Sequence, residues 1–239
     1  MGWLRNTFRK GKVLEDLASI RAMHYYVQQI YWAEDISVDE SKYSIESNVV
    51  ELVRYGQHSS NGLLVTTNGY FLTACHCVDG VRKLNVRHNG HEYRLEKVCA
   101  VSRENDLALA KASIDAEPEY AKYRFFNTLN PLKQMTPVVM MVYNDDSNFE
   151  RRGGWLVNSC DMNNVKRHDG ETIQLKDQYR IMADVQQGCS GGPVVCCDGR
   201  VAGLVSNGSM KNHIGGVAKF MKCLELVVSY RLRLENMCK

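Results

Sequence analysis

Gly188-Cys189-Ser190-Gly191-Gly192-Pro193 is the stretch on which the reading of this chain turns. A serine hydroxyl is a weak nucleophile: it needs a base to take its proton and donors to hold the oxyanion that forms when it attacks a carbonyl. Glycines on either side let the backbone turn sharply, so that the N–H groups of Gly188 and Ser190 can point into one small space. Read by itself the stretch is equally a glycine turn between two strands, so the case for Ser190 as a nucleophile rests on what the rest of the chain supplies.

Two earlier stretches supply it. Thr73-Ala74-Cys75-His76-Cys77-Val78 puts a histidine just after the apolar run Tyr70 to Ala74, where a rigid element holds the imidazole. An imidazole titrating near neutrality is the usual base for a hydroxyl nucleophile. Glu104-Asn105-Asp106-Leu107-Ala108-Leu109 puts a carboxylate at the mouth of a short apolar strand. Buried there, Asp106 accepts the second imidazole N–H, fixing the tautomer and stabilising the imidazolium. Singly, His76 is an ordinary strand-end histidine and Asp106 a turn aspartate. The other six histidines, His58, His88 and His91 among them, have no comparable setting.

The pattern around these residues is that of short strands. Val49–Tyr55, Leu63–Thr67, Tyr70–Ala74, Lys83–Arg87, Tyr93–Val101 and Leu107–Lys111 form a first group, with Asn-Gly at 61–62, 68–69 and 89–90 as hairpin turns. Val138–Tyr143, Trp155–Cys160, Thr172–Leu175, Tyr179–Asp184, Pro193–Cys196 and Val201–Ser206 form a second. About a dozen short strands predict an all-β body, either two small barrels or a sandwich. Before it, Val13, Leu14, Leu17, Ile20, Met23, Val27 and Ile30 recur at helical spacing. This amphipathic helix is expected to dock on its own domain, with a partner as the alternative, and residues 35–42 read as a linker. After Phe220 the apolar spacing fits a helix, although Leu224, Leu226, Val228, Tyr230, Leu232 and Leu234 also alternate as in a strand.

Composition narrows the classes. The 239 residues are 44% apolar, enough for a globular core, and 30 basic against 27 acidic residues give a net charge of only +3. No field of that size calls for nucleic acid or an anionic membrane, and no apolar run is long enough to span a bilayer. Residues 1–12 are basic with no signal-length apolar run after them, and Asn6 stands where a myristoylation motif wants Ser or Thr. The nine cysteines form no regular framework, which reads as reduced thiols in an intracellular, cytoplasmic setting. Cys75-His76-Cys77 is too tight for a zinc site. Neither a metal nor a cofactor is expected.

The three segments come in the order His, Asp, Ser. Leu-Thr-Ala-Cys-His-Cys, Asp-Leu-Ala-Leu and Gly-Cys-Ser-Gly-Gly-Pro-Val-Val together resemble the catalytic segments of chymotrypsin-fold serine proteases, across residues 60–220. The resemblance implies two antiparallel six-stranded β-barrels with the active site between them. Barrel 1 would run over about 44–120, barrel 2 over about 130–220 and a C-terminal helix over about 220–236, behind an N-terminal extension of 1–43. It implies that Ser190 attacks a polypeptide carbonyl, His76 acts as base and then acid, Asp106 orients His76, and Gly188 and Ser190 form the oxyanion hole. It further implies substrate binding by Gln187, by Ser206, Asn207 and Gly208 as the strand that pairs with substrate, and by Gly216 as a pocket wall. Asp184, six residues before Ser190, falls where trypsin-like members carry the pocket aspartate that selects Arg or Lys.

Within that family the lead-in Gly62-Leu-Leu-Val-Thr-Thr-Asn-Gly-Tyr-Phe-Leu-Thr is similar to intracellular and HtrA-type members, and two departures from the pattern are shared with intracellular and virus-encoded polyprotein-processing members. Cys189 stands where secreted members carry the aspartate that pairs with a freshly cut N-terminus. Their paired cysteines are missing too, although Cys77 and Cys196 occupy positions where such cysteines often occur. No peptide-binding regulatory domain is expected after Lys239. Cys189 raises a rival nucleophile, as in some virus-encoded relatives, but the resemblance puts the nucleophile directly before Gly-Gly, which is Ser190. Two alternatives stand, a catalytically silent protease fold used for binding and a redox-responsive protein using Cys75, Cys77 or Cys189.

Overall fold

The computed structural model describes residues 13–18, 20–21, 45–66, 68–114, 132–166, 172–197, 200–209 and 212–238. The linker read at 35–42 and the far half of the first helix lie outside the described residues. Two closed six-stranded antiparallel barrels make up the body. The first contains β1 (Val49–Arg54), β2 (Gln57–Leu64), β3 (Tyr70–Thr73), β4 (Leu84–His88), β5 (His91–Ser102) and β6 (Leu107–Ala112) in the order β1-β2-β3-β6-β5-β4. The second contains β7 (Pro137–Tyr143), β8 (Phe149–Lys166), β9 (Thr172–Ala183), β10 (Pro193–Cys196), β11 (Val201–Ser209) and β12 (Ile214–Lys219) in the order β10-β11-β12-β9-β8-β7. Closure of each ring leaves no long unpaired edge.

The Asn89–Gly90 hairpin forms as expected, with φ of +49° and +76° between His88 and His91. The turn read at Asn61–Gly62 does not form. These residues lie within β2, and the chain reverses earlier, at Tyr55–Gly56 (φ +53° and +80°), between Arg54 and Gln57. At position 62 the glycine serves close approach instead: a Cβ there would meet the Leu72 carbonyl at 3.0 Å. β8 and β9 are longer than the runs read for them, and β12, with two glycines in its first half, is a strand that sequence reading missed.

Apolar side chains fill each barrel, Val50, Leu52, Leu64 and Phe71 in the first and Met140, Val142, Ile181 and Val205 in the second. A third cluster joins them. It takes Leu63, Leu72 and Leu109 from the first barrel and Leu204 and Ala218 from the second. The C-terminal helix, which we call α3 (Phe220–Cys238), adds Phe220, Cys223, Val227 and Tyr230. The helical reading of the tail therefore holds: the buried positions recur every three or four residues, while Leu232 of the alternating pattern is half exposed. Residues 13–18 and 20–21 form a helix, α1, that sinks Leu17 and Ile20 into the same cluster, contributing about 1.5–3 kcal/mol per side chain. Asp16 on α1 is buried and reaches Lys97 and Lys111, each at 2.7 Å. Burial opposes its charge, but the two ammonium groups outweigh burial and hold its carboxyl below the ordinary value.

Candidate active site

Each site residue is held by the element that precedes or follows it. β3 is wholly buried, and the chain leaves it through extended Ala74 into one helical turn, α2 (Cys75–Val78), that carries His76. Asp106 sits at φ +53° at the end of a tight turn and opens β6. The two segments are stitched together by the Cys75 N–H donating to the Asp106 carbonyl at 3.1 Å, and by the His76 N–H donating to Asp106 Oδ1 at 3.1 Å. The His76 ring then places Nδ1 2.8 Å from Asp106 Oδ2. A third donor comes from the other barrel, where the buried Ser206 hydroxyl donates to the same Oδ2 at 2.6 Å. An acceptor-only carboxylate with these donors holds a proton on Nδ1, so that Nε2 is the nitrogen that gives up and takes the second one.

His76 is unusual in its electrostatics. Burial disfavours its charged form, but the Cys77 sulfur beside the ring and the Asp106 carboxylate outweigh burial and push its pKa up to about 11. The ring still keeps 38% of its side-chain surface in contact with solvent.

Ser190 lies between two glycines in left-handed conformation, Gly188 at φ +90° and Gly191 at φ +80°. Gly191 has no alternative residue: a Cβ would come within 2.0 Å of the Asn61 carbonyl and 2.3 Å of Thr73 Oγ1. Both barrels anchor the turn. The Asn61 N–H donates to the Ser190 carbonyl at 2.8 Å, Thr73 Oγ1 donates to the Asn61 carbonyl at 2.6 Å, and the Gly191 N–H donates to the Val205 carbonyl at 2.7 Å. Thr73 is three residues before His76 and Val205 directly precedes Ser206, so the Ser190 turn rests on the two segments that hold the imidazole and its carboxylate. Among the described residues the N–H groups of Gly188 and Ser190 take no backbone partner. Cys189, by contrast, is buried, and Arg152 Nη1 lies 3.4 Å from its sulfur. Burial pushes the thiol up, against the opposing charge of Arg152.

Three residues to which sequence reading gave no such role hold this loop. Arg152 on β8 spans Glu150, the Asp184 carbonyl at 3.1 Å, Gln186 Oε1 at 3.2 Å and Cys189. From the first barrel, Asn61 Nδ2 donates to the Gly188 carbonyl at 2.8 Å and His58 Nε2 lies 3.2 Å from it. No local motif marks these side chains, because each acts on a segment far away in sequence.

The specificity residues fall differently from expectation. Asp184 does not enter a pocket: its side chain is 53% exposed and accepts from Gln186 Nε2 at 2.8 Å. Its neighbour Val185 is the inward residue, wedged against Gly208 and Gly215, where added Cβ atoms would lie 2.4 and 2.6 Å from its methyl groups. The six-residue offset misleads here because a strand alternates faces, and this loop turns 185 inward. Gly216 is likewise not an open wall, since the Asn207 and Gln178 amides fill the space its missing side chain leaves. Gln187 is exposed. Ser206, Asn207 and Gly208 do lie together on β11. Beyond Val205 that strand is paired with β12 on one side, and β10 stops at Leu204 on the other. Among the described residues no cluster of three His, Cys, Asp or Glu side chains is arranged to hold a metal, and eight cysteines are free.

A family model described as a trypsin-like peptidase domain matches residues 60–204. No curated protein matches the sequence. Similar solved structures include Rv3671c protease from M. tuberculosis in its active form, at 20% identity and TM-score 0.64, covering 77% of this chain and 81% of that one. The MamO protease domain from Magnetospirillum magneticum is similar at 18% identity and TM-score 0.61, covering 76% of this chain and 96% of that one. The likeness to these structures is one of fold, whereas the family model spans more than half of the sequence and takes in all three segments, so the chain belongs to the trypsin-like peptidase domain family.

Proposed function

We propose that this protein is a serine endopeptidase in which Ser190 attacks the scissile carbonyl, His76 is base and then acid, and Asp106 orients His76. The observation that carries the reading is the Asp106 carboxylate, which takes the His76 ring at 2.8 Å and the Ser206 hydroxyl at 2.6 Å beside a serine turn anchored on both barrels. With Nδ1–H on the carboxylate, Nε2 receives the Ser190 proton as the Oγ–C bond forms. The N–H groups of Gly188 and Ser190 take the oxyanion. Collapse returns the proton from Nε2 to the leaving amine, and water then attacks the acyl-enzyme by the reverse sequence of transfers.

Substrate is read as an extended polypeptide pairing with the open edge of β11 at Ser206–Gly208. With Val185 buried and Asp184 turned outward, no carboxylate of this loop stands ready to select a basic side chain, and cleavage after Arg or Lys is not expected. Free thiols, six of them buried, suit a reducing, intracellular compartment. Processing of a polyprotein there is proposed on the sequence resemblance to virus-encoded members alone. Cys189 is not the nucleophile in this reading, because its sulfur is buried against Arg152. The test is peptide hydrolysis with fluorophosphonate labelling: Ser190→Ala is expected to abolish both, and Cys189→Ala to retain both. The reverse pattern would sink the assignment, and an unlabelled wild-type protein would favour a silent binding module.

A further inference from the structure

A second histidine couples the barrels, and its surroundings determine its proton count. The His58 side chain is 1% exposed, as is that of Glu51. Its Nδ1 lies 3.1 Å from Glu51 Oε1 and its Nε2 3.2 Å from the Gly188 carbonyl. Which of these partners donate follows from groups that have only one role. Arg87 cannot accept, so Ser147 Oγ accepts from its Nη1 at 3.0 Å and has its single proton left for Glu51 Oε1, at 2.6 Å. Arg87 Nη1 also donates to Glu51 Oε2 at 2.7 Å. Both carboxylate oxygens thus already take donors, the arrangement of an ionised carboxylate. On the other side the Gly188 carbonyl is an acceptor by nature and already takes Asn61 Nδ2. Asn61 is itself oriented by the Tyr143 N–H, which donates to its Oδ1 at 2.7 Å.

Both ring nitrogens of His58 therefore face acceptors, and a neutral imidazole has only one N–H. We propose that His58 is held as an imidazolium between Glu51 and the Gly188 carbonyl, and that this buried pair is a positioning device that presets the oxyanion loop from the opposite barrel. This rests on the peptidase reading for its consequence, though not for its chemistry. Fixing the Gly188 carbonyl fixes the glycine whose N–H belongs to the oxyanion hole. A lost ring proton would leave lone pair against lone pair at one of the two contacts and release the loop. The charged and titratable groups facing this pair are Glu51 on β1, Arg87 on β4, Tyr143 on β7, whose hydroxyl feels both Glu51 and Arg87, and Asp145 in the β7–β8 turn. A Cβ built at Gly188 would meet Asp145 Oδ1 at 3.0 Å and His58 Nε2 at 2.8 Å. The positive charge on His58 thus sits among two carboxylates and one guanidinium.

The experiment uses the full chain with nitrogen-15-labelled histidine, His58 being assigned by its loss in His58→Gln. At neutral pH the two His58 ring nitrogens should both carry slowly exchanging protons. A single-tautomer, neutral ring signature would overturn the proposal, and this readout does not depend on activity. In kinetic assays His58→Ala should lower kcat about 100-fold with KM within about twofold, the pattern of a lost oxyanion donor. His58→Gln, which keeps one donor toward Gly188, should recover part of the loss. Unchanged kcat in both variants would refute the positioning role. A wild-type protein with an intact imidazolium but no hydrolysis of any peptide would refute the peptidase reading and leave the clamp standing.

Discussion

In the peptidase reading the surroundings of the His76 ring set the pH at which it can act as a base, and replacing Cys77, whose sulfur lies beside the ring, is expected to move that pH downward. In the folded protein the imidazole is pushed from 6.5 to about 11, against burial, first by the Cys77 sulfur and then by Asp106. A base must be neutral to act, so activity of the wild-type protein rises with pH into the alkaline range. Cys77→Ala removes the largest of the raising contributions and leaves Asp106 in place. Because the ring keeps 38% of its surface in water, screening trims the effect, and we expect the rising limb to fall by about one pH unit. On that limb one unit is about a tenfold gain in kcat/KM at fixed pH. The assay is hydrolysis of a fluorogenic peptide between about pH 5 and about pH 11, alongside the rate of fluorophosphonate labelling, whose rise should follow the same curve. Stability moves the other way. A raised folded-state value stabilises the protein fully below 6.5 and is lost as the pH climbs through the folded value, so the variant melts lower near neutrality. A profile coincident with wild type, or displaced upward, would refute the assignment of the shift to the thiol.

Ser206→Ala removes the 2.6 Å bond to Asp106 and concentrates charge on the carboxylate. Its kcat/KM should fall about tenfold, as for a hydrogen bond to a charged group, and its rising limb should move up rather than down. Asp16→Ala leaves Lys111, with 10% of its side chain exposed, without its counter-charge. Denaturant unfolding should record a loss of about 3–5 kcal/mol. Because the Asp16 carboxyl is held below its ordinary value of 3.8, the wild-type advantage is present above that pH and disappears as the pH falls through the lower folded value. A positional-scanning peptide library should show no enrichment of Arg or Lys before the scissile bond, and enrichment there would contradict the outward placement of Asp184.

What could be read beforehand was what local chemistry announces. Turn glycines before and after Ser190, an apolar run ending at His76 and another starting at Asp106 each leave a mark within a few residues. Helical spacing likewise announced Leu17 and Ile20 in α1, and Phe220, Leu224 and Val227 in α3. Illegible features were those in which tertiary packing overrode a local signal. Asn61–Gly62 has the composition of a turn but supplies a close strand crossing and an amide that bridges Tyr143 and Gly188. Tyr55–Gly56 makes the turn although an aromatic residue rarely takes positive φ. His58, Arg152 and Val185 act only across the assembled fold, with His58 130 residues from its carbonyl. Asp184 was misplaced because an offset carried from other loops says nothing of which neighbouring residue turns inward.

The apolar layer that joins Leu63, Leu72 and Leu109 to Leu204, Phe220 and Val227 has a consequence for how the molecule fails. Both barrels contribute to that layer, so disrupting it should weaken the two together, and coincident loss of structure by different probes is the expected outcome. The relative alignment of the imidazole on one barrel and the hydroxyl on the other is therefore guarded by a joint remote from the chemistry. Clipping the last helical turns would loosen catalysis and thermal tolerance together.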